Sequence, residues 1–309
     1  MEVLITGGCG FIGTNLVDRL LREPGIDRVR TLDNYATGIR RVVADARVWE
    51  IEGDLRDYDA VLRASAGVQA IVHLGALPSV PRSLHDPMST NNVNVTGTLH
   101  VLEAARASGV NHVSVASSSS VYGANPALPK IETLATLPLS PYAVSKLATE
   151  SYANAYATSF GLHTLALRFF NVFGPLQRAD HVYAAVIPRF LAALKNDEPL
   201  TVFGDGEQSR DFTSVHAVTD ALTKALLRTV TSPTPVNLAF GTRTSLNTVI
   251  GLLQQLHPRP IQVTYAPGRA GDVAHSQASS ALLGSLIPDV ERPEFALALR
   301  QVYDWYMGL

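Results

Sequence analysis

Met1-Glu2-Val3-Leu4-Ile5-Thr6-Gly7-Gly8-Cys9-Gly10-Phe11-Ile12-Gly13 opens the chain, and a second apolar run, Val29-Arg30-Thr31-Leu32, ends at Asp33. The first five residues read as a strand that runs straight into glycines. A tight turn needs Gly7, an anion can approach the backbone only where Gly10 has no side chain, and Gly13 lets the next helix lie close on a sheet. The spacing predicts that helix over Phe11 to Leu21, with its N-terminal N–H groups and positive dipole end facing the anion. Arg22-Glu23-Pro24-Gly25 stops it.

Asp33 lies about twenty residues past the glycines, where a dinucleotide fingerprint places a carboxylate on the adenosine ribose. There it would accept from the 2′-hydroxyl and repel a 2′-phosphate. Three glycines alone would not separate this from an ordinary turn, but strand, turn, helix, strand and acid together predict a dinucleotide site that prefers NAD to NADP.

The 309 residues suffice for one large α/β unit with a smaller appendage, and a hydrophobic content of 46% with 17% charged residues is that of a soluble globular chain. A net charge of −2 leaves no electrostatic footprint for nucleic acid or an anionic membrane, so small molecules are the expected partners. Cys9 is the single cysteine, which excludes an internal disulfide, and it reads as a small residue filling the turn. No Cys/His cluster has metal-ligand spacing. Without a basic leader or an apolar run of membrane length, the cytoplasm is the expected location.

Further along, a polar basic loop (34–45) leads to the strand Arg47 to Ile51 and then Gly53-Asp54-Leu55. Asp54 stands either as a partner for the adenine amino group or as the cap of a helix Arg56 to Ala64. Ala70 to Ala76 is a buried strand running into small residues, in which His73 reads as a satisfied structural histidine rather than a base. Leu77-Pro78-Ser79-Val80-Pro81-Arg82-Ser83 is a loop too polar to be filler. Val95, Leu99, Leu102 and Ala105 recur at helical spacing in Asn91 to Ser108, and Gly109 ends that helix.

The strand His112 to Ala116 runs into Ser117-Ser118-Ser119-Ser120-Val121-Tyr122-Gly123, a serine run at the carboxyl edge, where an open parallel sheet holds its ligands. Tyr142 and Lys146 open a helix that continues to Phe160. One turn apart, they share a face with Cβ atoms about 5–6 Å from each other, and an ammonium there would lower the phenol toward working pH. Strand and helix alternate up to His163–Arg168, which predicts a doubly wound parallel sheet over residues 1–170 with return segments near 213–240. Beyond Asn171, glycine and proline loops alternate with short helices: Val182 to Leu194, Ala217 to Arg228, Leu246 to Leu256 and Glu294 to Met307. Residues 171–212 and 241–309 are expected to form a smaller substrate-binding lobe.

With these residues on the page, the chain resembles the extended short-chain dehydrogenase/reductases, and among them the NAD-dependent UDP-sugar 4-epimerases. The glycine motif, Leu32-Asp33-Asn34, Gly53-Asp54-Leu55, Ser117 to Gly123, Tyr142 to Lys146, Leu167 to Val172, Gly204 to Phe212 and Gly271-Asp272-Val273 carry the resemblance almost end to end. It implies Tyr142 as acid/base, Lys146 on the nicotinamide ribose, and Ser118 on the reacting sugar oxygen. The cofactor set it implies is Gly7, Gly10, Phe11, Ile12, Gly13, Asp33, Asn34, Asp54, Leu55, Leu74 and Lys146. The substrate set is Ser79, Ser118, Ser119, Tyr142, Asn171, Arg178, Val186, Arg210, Arg269, Asp272 and Ser276. Asn171, Arg210, Arg269 and Asp272 fall where relatives hold the nucleotide diphosphate. A homodimer paired through Asn91–Ser108 and Tyr142–Phe160 is also implied.

Within that resemblance, Ser119 and Ser120 stand where 4,6-dehydratases carry an acid/base pair, which disfavours dehydration. Gly75 replaces the usual alanine and is expected to enlarge the space beside the cofactor. Ser276 replaces the bulky tyrosine of relatives restricted to UDP-glucose and UDP-galactose, so a larger sugar would fit. Arg178 stands where epimerases of UDP-glucuronate carry arginine, which favours a C6 carboxylate. UDP-N-acetylglucosamine and UDP-glucose are the alternative substrates. A one-way dehydrogenase or reductase releasing NADH, and a dinucleotide-sensing binding protein, are the alternatives of other classes.

Overall fold

The computed structural model of the chain describes residues 1–40, 45–179, 184–268 and 274–309. At its centre is a seven-stranded parallel sheet. Across the sheet the strands run Val236–Leu238, His163–Phe169, His112–Ser118, Ala70–His73, Glu2–Thr6, Arg28–Asp33 and Val48–Glu52. The chain winds outward from Glu2–Thr6 to one edge, then crosses over it and winds to the other. The crevice at that reversal, beyond the strands' carboxyl ends, is where such a sheet takes ligands.

Both sheet faces are covered, and the strand sequences show why. Val3, Ile5, Val72, Leu165 and Leu167 point into one core beneath the helices Phe11–Leu20 and Val215–Leu227. Their neighbours Leu4, Ile71 and Ala166, with Val113 and Val115, point into the other, beneath Tyr58–Ser65, Gly97–Ala107 and Pro141–Phe160. A strand buried on both sides alternates between two apolar faces instead of between apolar and polar ones. Pro141 sits in the first turn of the long helix, Ser140 caps it by accepting from the Ala143 N–H, and Gly161 (φ 68°) closes it.

A third core lies apart from the two that flank the sheet. It joins the helices Val186–Lys195, Leu246–Leu256 and Phe295–Met307. Short ladders brace it: Leu200–Phe203 pairs parallel with Val263–Ala266, and Ser209–Arg210 pairs antiparallel with Thr244–Ser245. Phe173, Phe212 and Phe295 pack together with centroids 5.3–6.1 Å apart.

Four sequence expectations change. The edge strand Val236–Leu238 was not expected, because three residues preceded by Pro233 and Pro235 carry too little periodicity to read. The helix expected from Arg56 is Tyr58–Ser65, and its cap is Asp57, which accepts from the Ala60 N–H, so Asp54 is not the cap. The expected loop Leu77–Ser83 holds a helix, Val80–His85, capped by Ser79. The helix expected over Asn91–Ser108 begins at Pro87 and is broken by a π-helical turn, Asn92–Thr96, before Gly97–Ala107. Such turns recur at functional sites because the extra residue re-aims a side chain or carbonyl.

Candidate active site

The opening turn has the geometry of a phosphate cradle. Gly7 has φ 68°, and a Cβ there would lie 2.7 Å from the Gly75 backbone. A Cβ on Gly13 would lie 2.2 Å from the Gly7 carbonyl, so this glycine lets the helix close on its own turn rather than on the sheet. A Cβ on Gly10 would meet only the Gly7 carbonyl, at 3.2 Å, and otherwise face open space. Gly10 caps the helix with no side-chain bond, which leaves the N–H groups of Phe11 and Ile12 aimed outward for an anion.

Asp33 holds this turn from the next strand. One carboxylate oxygen accepts from the Cys9 N–H at 2.9 Å and the other from the Tyr35 N–H at 2.8 Å. Cys9 itself is a packed residue, its thiol pushed up to about 11 by burial and by the nearby Asp33 and Glu50 carboxylates. Asn34 donates to Asp54 at 2.7 Å, and Arg56 grips Asp54 through its backbone and guanidinium. The Arg56 contact holds the Asp54 carboxyl well below the usual carboxylate range. Gly75 does not widen the cofactor space as expected: a Cβ would strike Leu55 Cδ1 at 2.8 Å, so the missing side chain lets Leu55 and the glycine turn close together. Leu74 lies half-buried beside it. Glycines without room for a Cβ, an uncapped helix start and an acid at the next strand's end are what a dinucleotide requires, and NAD fits.

Across the crevice, Ser118 ends its strand and the long helix begins at Pro141. Their placement brings Ser118, Tyr142 and Lys146 together, with the Ser118 side chain near enough to act on the Tyr142 phenol. Ser118 Oγ also accepts from the Ser120 N–H at 3.2 Å, which opens the turn Ser119–Tyr122 and places Ser119 at the strand's mouth. Burial raises the Tyr142 phenol above its ordinary value and the Ser118 contact draws it back. Lys146 does not lower it as expected, because its ammonium donates to the Ala116 carbonyl at 2.8 Å instead. Burial brings the Lys146 amine down to about 8. One turn further along the same helix face lies a buried ion pair: Glu150 accepts from Arg168 at 2.6 and 3.0 Å and from Ser117 Oγ at 2.7 Å.

The lobe supplies a cavity of about 240 Å³. Asn171, Val186 and Arg210, expected on substrate, line it together. Asn171 adopts φ 38° and donates to the Asp211 carbonyl. Buried Asp211 accepts from the Gly241 and Ala278 N–H groups and from Thr242, tying three segments around Arg210. Arg189, Gln177, Thr201, Phe203 and Gln208 also line the cavity. Sequence reading missed them, since only the folded lobe shows which helix face and strand ends converge. Gln177 Oε1 is buried with no partner among the described residues, an acceptor left for a ligand.

The remaining expectations are scattered. Ser79 is held at φ 106° and its hydroxyl caps a helix. Arg178 is half-buried on the loop leaving Val172–Phe173. Ser276 donates its N–H to the Ser209 carbonyl beside the bridge that Ser209 makes with His275. Arg269, Asp272 and the start of the helix expected at Val182 lie outside the described residues.

The model of the NAD dependent epimerase/dehydratase family matches residues 3–239. Over 283 residues the chain is 35% identical to a UDP-glucose 4-epimerase of Mycolicibacterium smegmatis, covering 90% of this chain and 89% of that protein. A solved UDP-N-acetylglucosamine 4-epimerase from Methanobrevibacter ruminantium M1, in complex with UDP-N-acetylmuramic acid, is 34% identical. It superposes with a TM-score of 0.94 over 99% of this chain and 98% of that one. A UDP-glucuronic acid 4-epimerase from Bacillus cereus, solved with UDP-glucuronic acid and NAD, is 27% identical with a TM-score of 0.88, covering 100% and 99%.

Proposed function

This chain belongs to the NAD dependent epimerase/dehydratase family, and from that footing we propose that it inverts C4 of UDP-glucuronate to give UDP-galacturonate. At the coarser level it is an NAD-dependent UDP-sugar 4-epimerase. The observation that carries the reading is that the Ser118 side chain and the buried Tyr142 phenol, one helical turn from Lys146, act on each other at the sheet's carboxyl edge, the edge that also carries the glycine cradle.

Each side chain then has a task. Tyr142 takes the proton from the sugar's 4-hydroxyl and later returns it, while Ser118 holds that oxygen in line with the phenol. Lys146, one helical turn on, would hold the nicotinamide ribose beside the phenol. NAD, held by the glycine turn and Asp33, would supply a reversible hydride acceptor, so no external reductant would be consumed. Between the two transfers the 4-keto sugar would turn about its diphosphate, for which Arg210 and Asn171, both lining the cavity, are the proposed holders. Ser119 in place of a carboxyl group leaves nothing to drive loss of water.

Arg178 supports the choice of a uronic acid: a guanidinium is suited to pairing a C6 carboxylate in two parallel hydrogen bonds. We also propose that two chains pair through the helices at 87–107 and 141–160. Met88, Val144, Tyr152 and Phe160 stand exposed there, as a helix-to-helix contact would require.

The test is to incubate the purified protein, without added cofactor, with UDP-glucuronate, UDP-N-acetylglucosamine and UDP-glucose, and to resolve the C4 isomers by NMR. UDP-galacturonate as the principal product is expected. Preferential inversion of a neutral sugar would replace the substrate, and net NADH formation would replace the reaction class with a dehydrogenase.

A further inference from the structure

His73 sits between the two halves of the active site with every polar contact satisfied inside the protein. It is buried at the end of its strand, 3% exposed. Its Nδ1 lies 2.7 Å from Thr6 Oγ1, and Thr6 Oγ1 accepts from the Gly75 N–H at 3.2 Å, directly under the glycine turn. Its Nε2 lies 3.0 Å from Thr98 Oγ1. Thr98 Oγ1 lies 3.2 Å from Thr149 Oγ1, on the long helix three residues past Lys146.

The directions of these bonds follow from counting hydrogens. Thr98 gives its one hydroxyl hydrogen to the Asn94 carbonyl at 2.5 Å, in the π-helical turn, and a carbonyl can only accept. Toward both His73 and Thr149, Thr98 must therefore accept, which puts a hydrogen on Nε2 and turns the Thr149 hydrogen toward Thr98. Nδ1 is then bare and receives the Thr6 hydrogen, leaving Thr6 Oγ1 free to accept from Gly75. A hydrogen on Nδ1 would strand the Thr6 hydrogen without an acceptor. The charged group acting on the ring is Lys146, which opposes a second positive charge.

We infer that His73 is a positioning residue. As the neutral tautomer with its hydrogen on Nε2, it couples the Gly7–Gly75 junction of the dinucleotide turn to the helix turn carrying Tyr142 and Lys146, through Thr98 and Thr149. The chain fixes the distance between the cofactor turn and the proton-transfer group, and a displacement of about 1 Å between such groups costs up to about a hundredfold in rate. The inference rests on the roles proposed for Tyr142 and Lys146, and two of its three tests use no sugar.

In the intact protein with labelled histidine, NMR should find His73 with hydrogen on Nε2 and bare Nδ1, unchanged between about pH 6 and about pH 9. A hydrogen on Nδ1, or a charged ring in that range, would overturn the inference even if no variant folded. His73→Phe and Thr98→Val should each speed NAD release about tenfold, with the double variant no faster than the faster single one, as expected of links in one chain. Both should lower kcat about tenfold while KM for the sugar stays within about twofold. Additive losses in NAD release would mark two independent packing sites and refute the coupling.

Discussion

The Ser118 hydroxyl stands close enough to the buried Tyr142 phenol, at the carboxyl edge of the sheet, to favour its ionised form. A strand end and a helix start, separated in the chain by a long loop, are thereby set to hold one substrate oxygen between them. Ser118→Ala keeps the fold, since the Ser120 turn has a backbone bond of its own to Gly123. It should lower kcat about a hundredfold with little change in KM, the pattern of an interaction made only in the transition state. Steady-state kinetics on the epimerised sugar decide this.

Lys146 is buried as an amine brought down to about 8 from an ordinary 10.5. Where a buried cation's pKa is depressed, its contribution to stability is whole above the unfolded value and is lost as pH falls through the folded one. The NAD-free protein should therefore gain stability as pH rises from 8 to 10.5 through this group. Lys146→Met should remove that gain and, below about pH 8, be more stable than the wild type by about 1–3 kcal/mol while inactive. Denaturant unfolding across the pH range measures both effects.

Gly10 and Gly13 should separate binding from folding. A Cβ on Gly13 meets backbone at 2.2 Å, whereas one on Gly10 meets only a carbonyl at 3.2 Å. Gly13→Ala should destabilise by about 2 kcal/mol or more, and Gly10→Ala should leave the melting temperature nearly unchanged while NAD no longer co-purifies. Thermal melts and cofactor content of the two variants check the contrast.

Arg178→Ala should reduce kcat/KM for UDP-glucuronate at least about tenfold more than for UDP-glucose, given a charge-assisted bidentate contact of about 1.5–3 kcal/mol. Parallel kinetics on the two sugars test it, and equal losses would remove Arg178 from the carboxylate.

Most of the parallel sheet and the opening turn were legible because they are local: apolar strands, glycines and an acid at fixed spacing. Tyr142 and Lys146 were legible for the same reason, being one helical turn apart. What stayed hidden depends on chain segments meeting. Arg189 joins Arg210 only once the helix Val186–Lys195 packs on the lobe. Nothing in the sequence around Lys146 indicates that its ammonium would turn to the Ala116 carbonyl, or that burial would raise the phenol it was expected to lower. The Gly75 backbone meets Leu55 from a distant segment, so the missing Cβ read as added space when it allows a closer fit.

The most direct test follows C4 inversion of UDP-glucuronate by NMR, with no cofactor added, in the wild type and in Tyr142→Phe. The wild type should interconvert the two epimers, while the variant, purified with NAD still bound, should show no inversion. Inversion by Tyr142→Phe at the wild-type rate would place the proton-transfer group elsewhere and contradict the account.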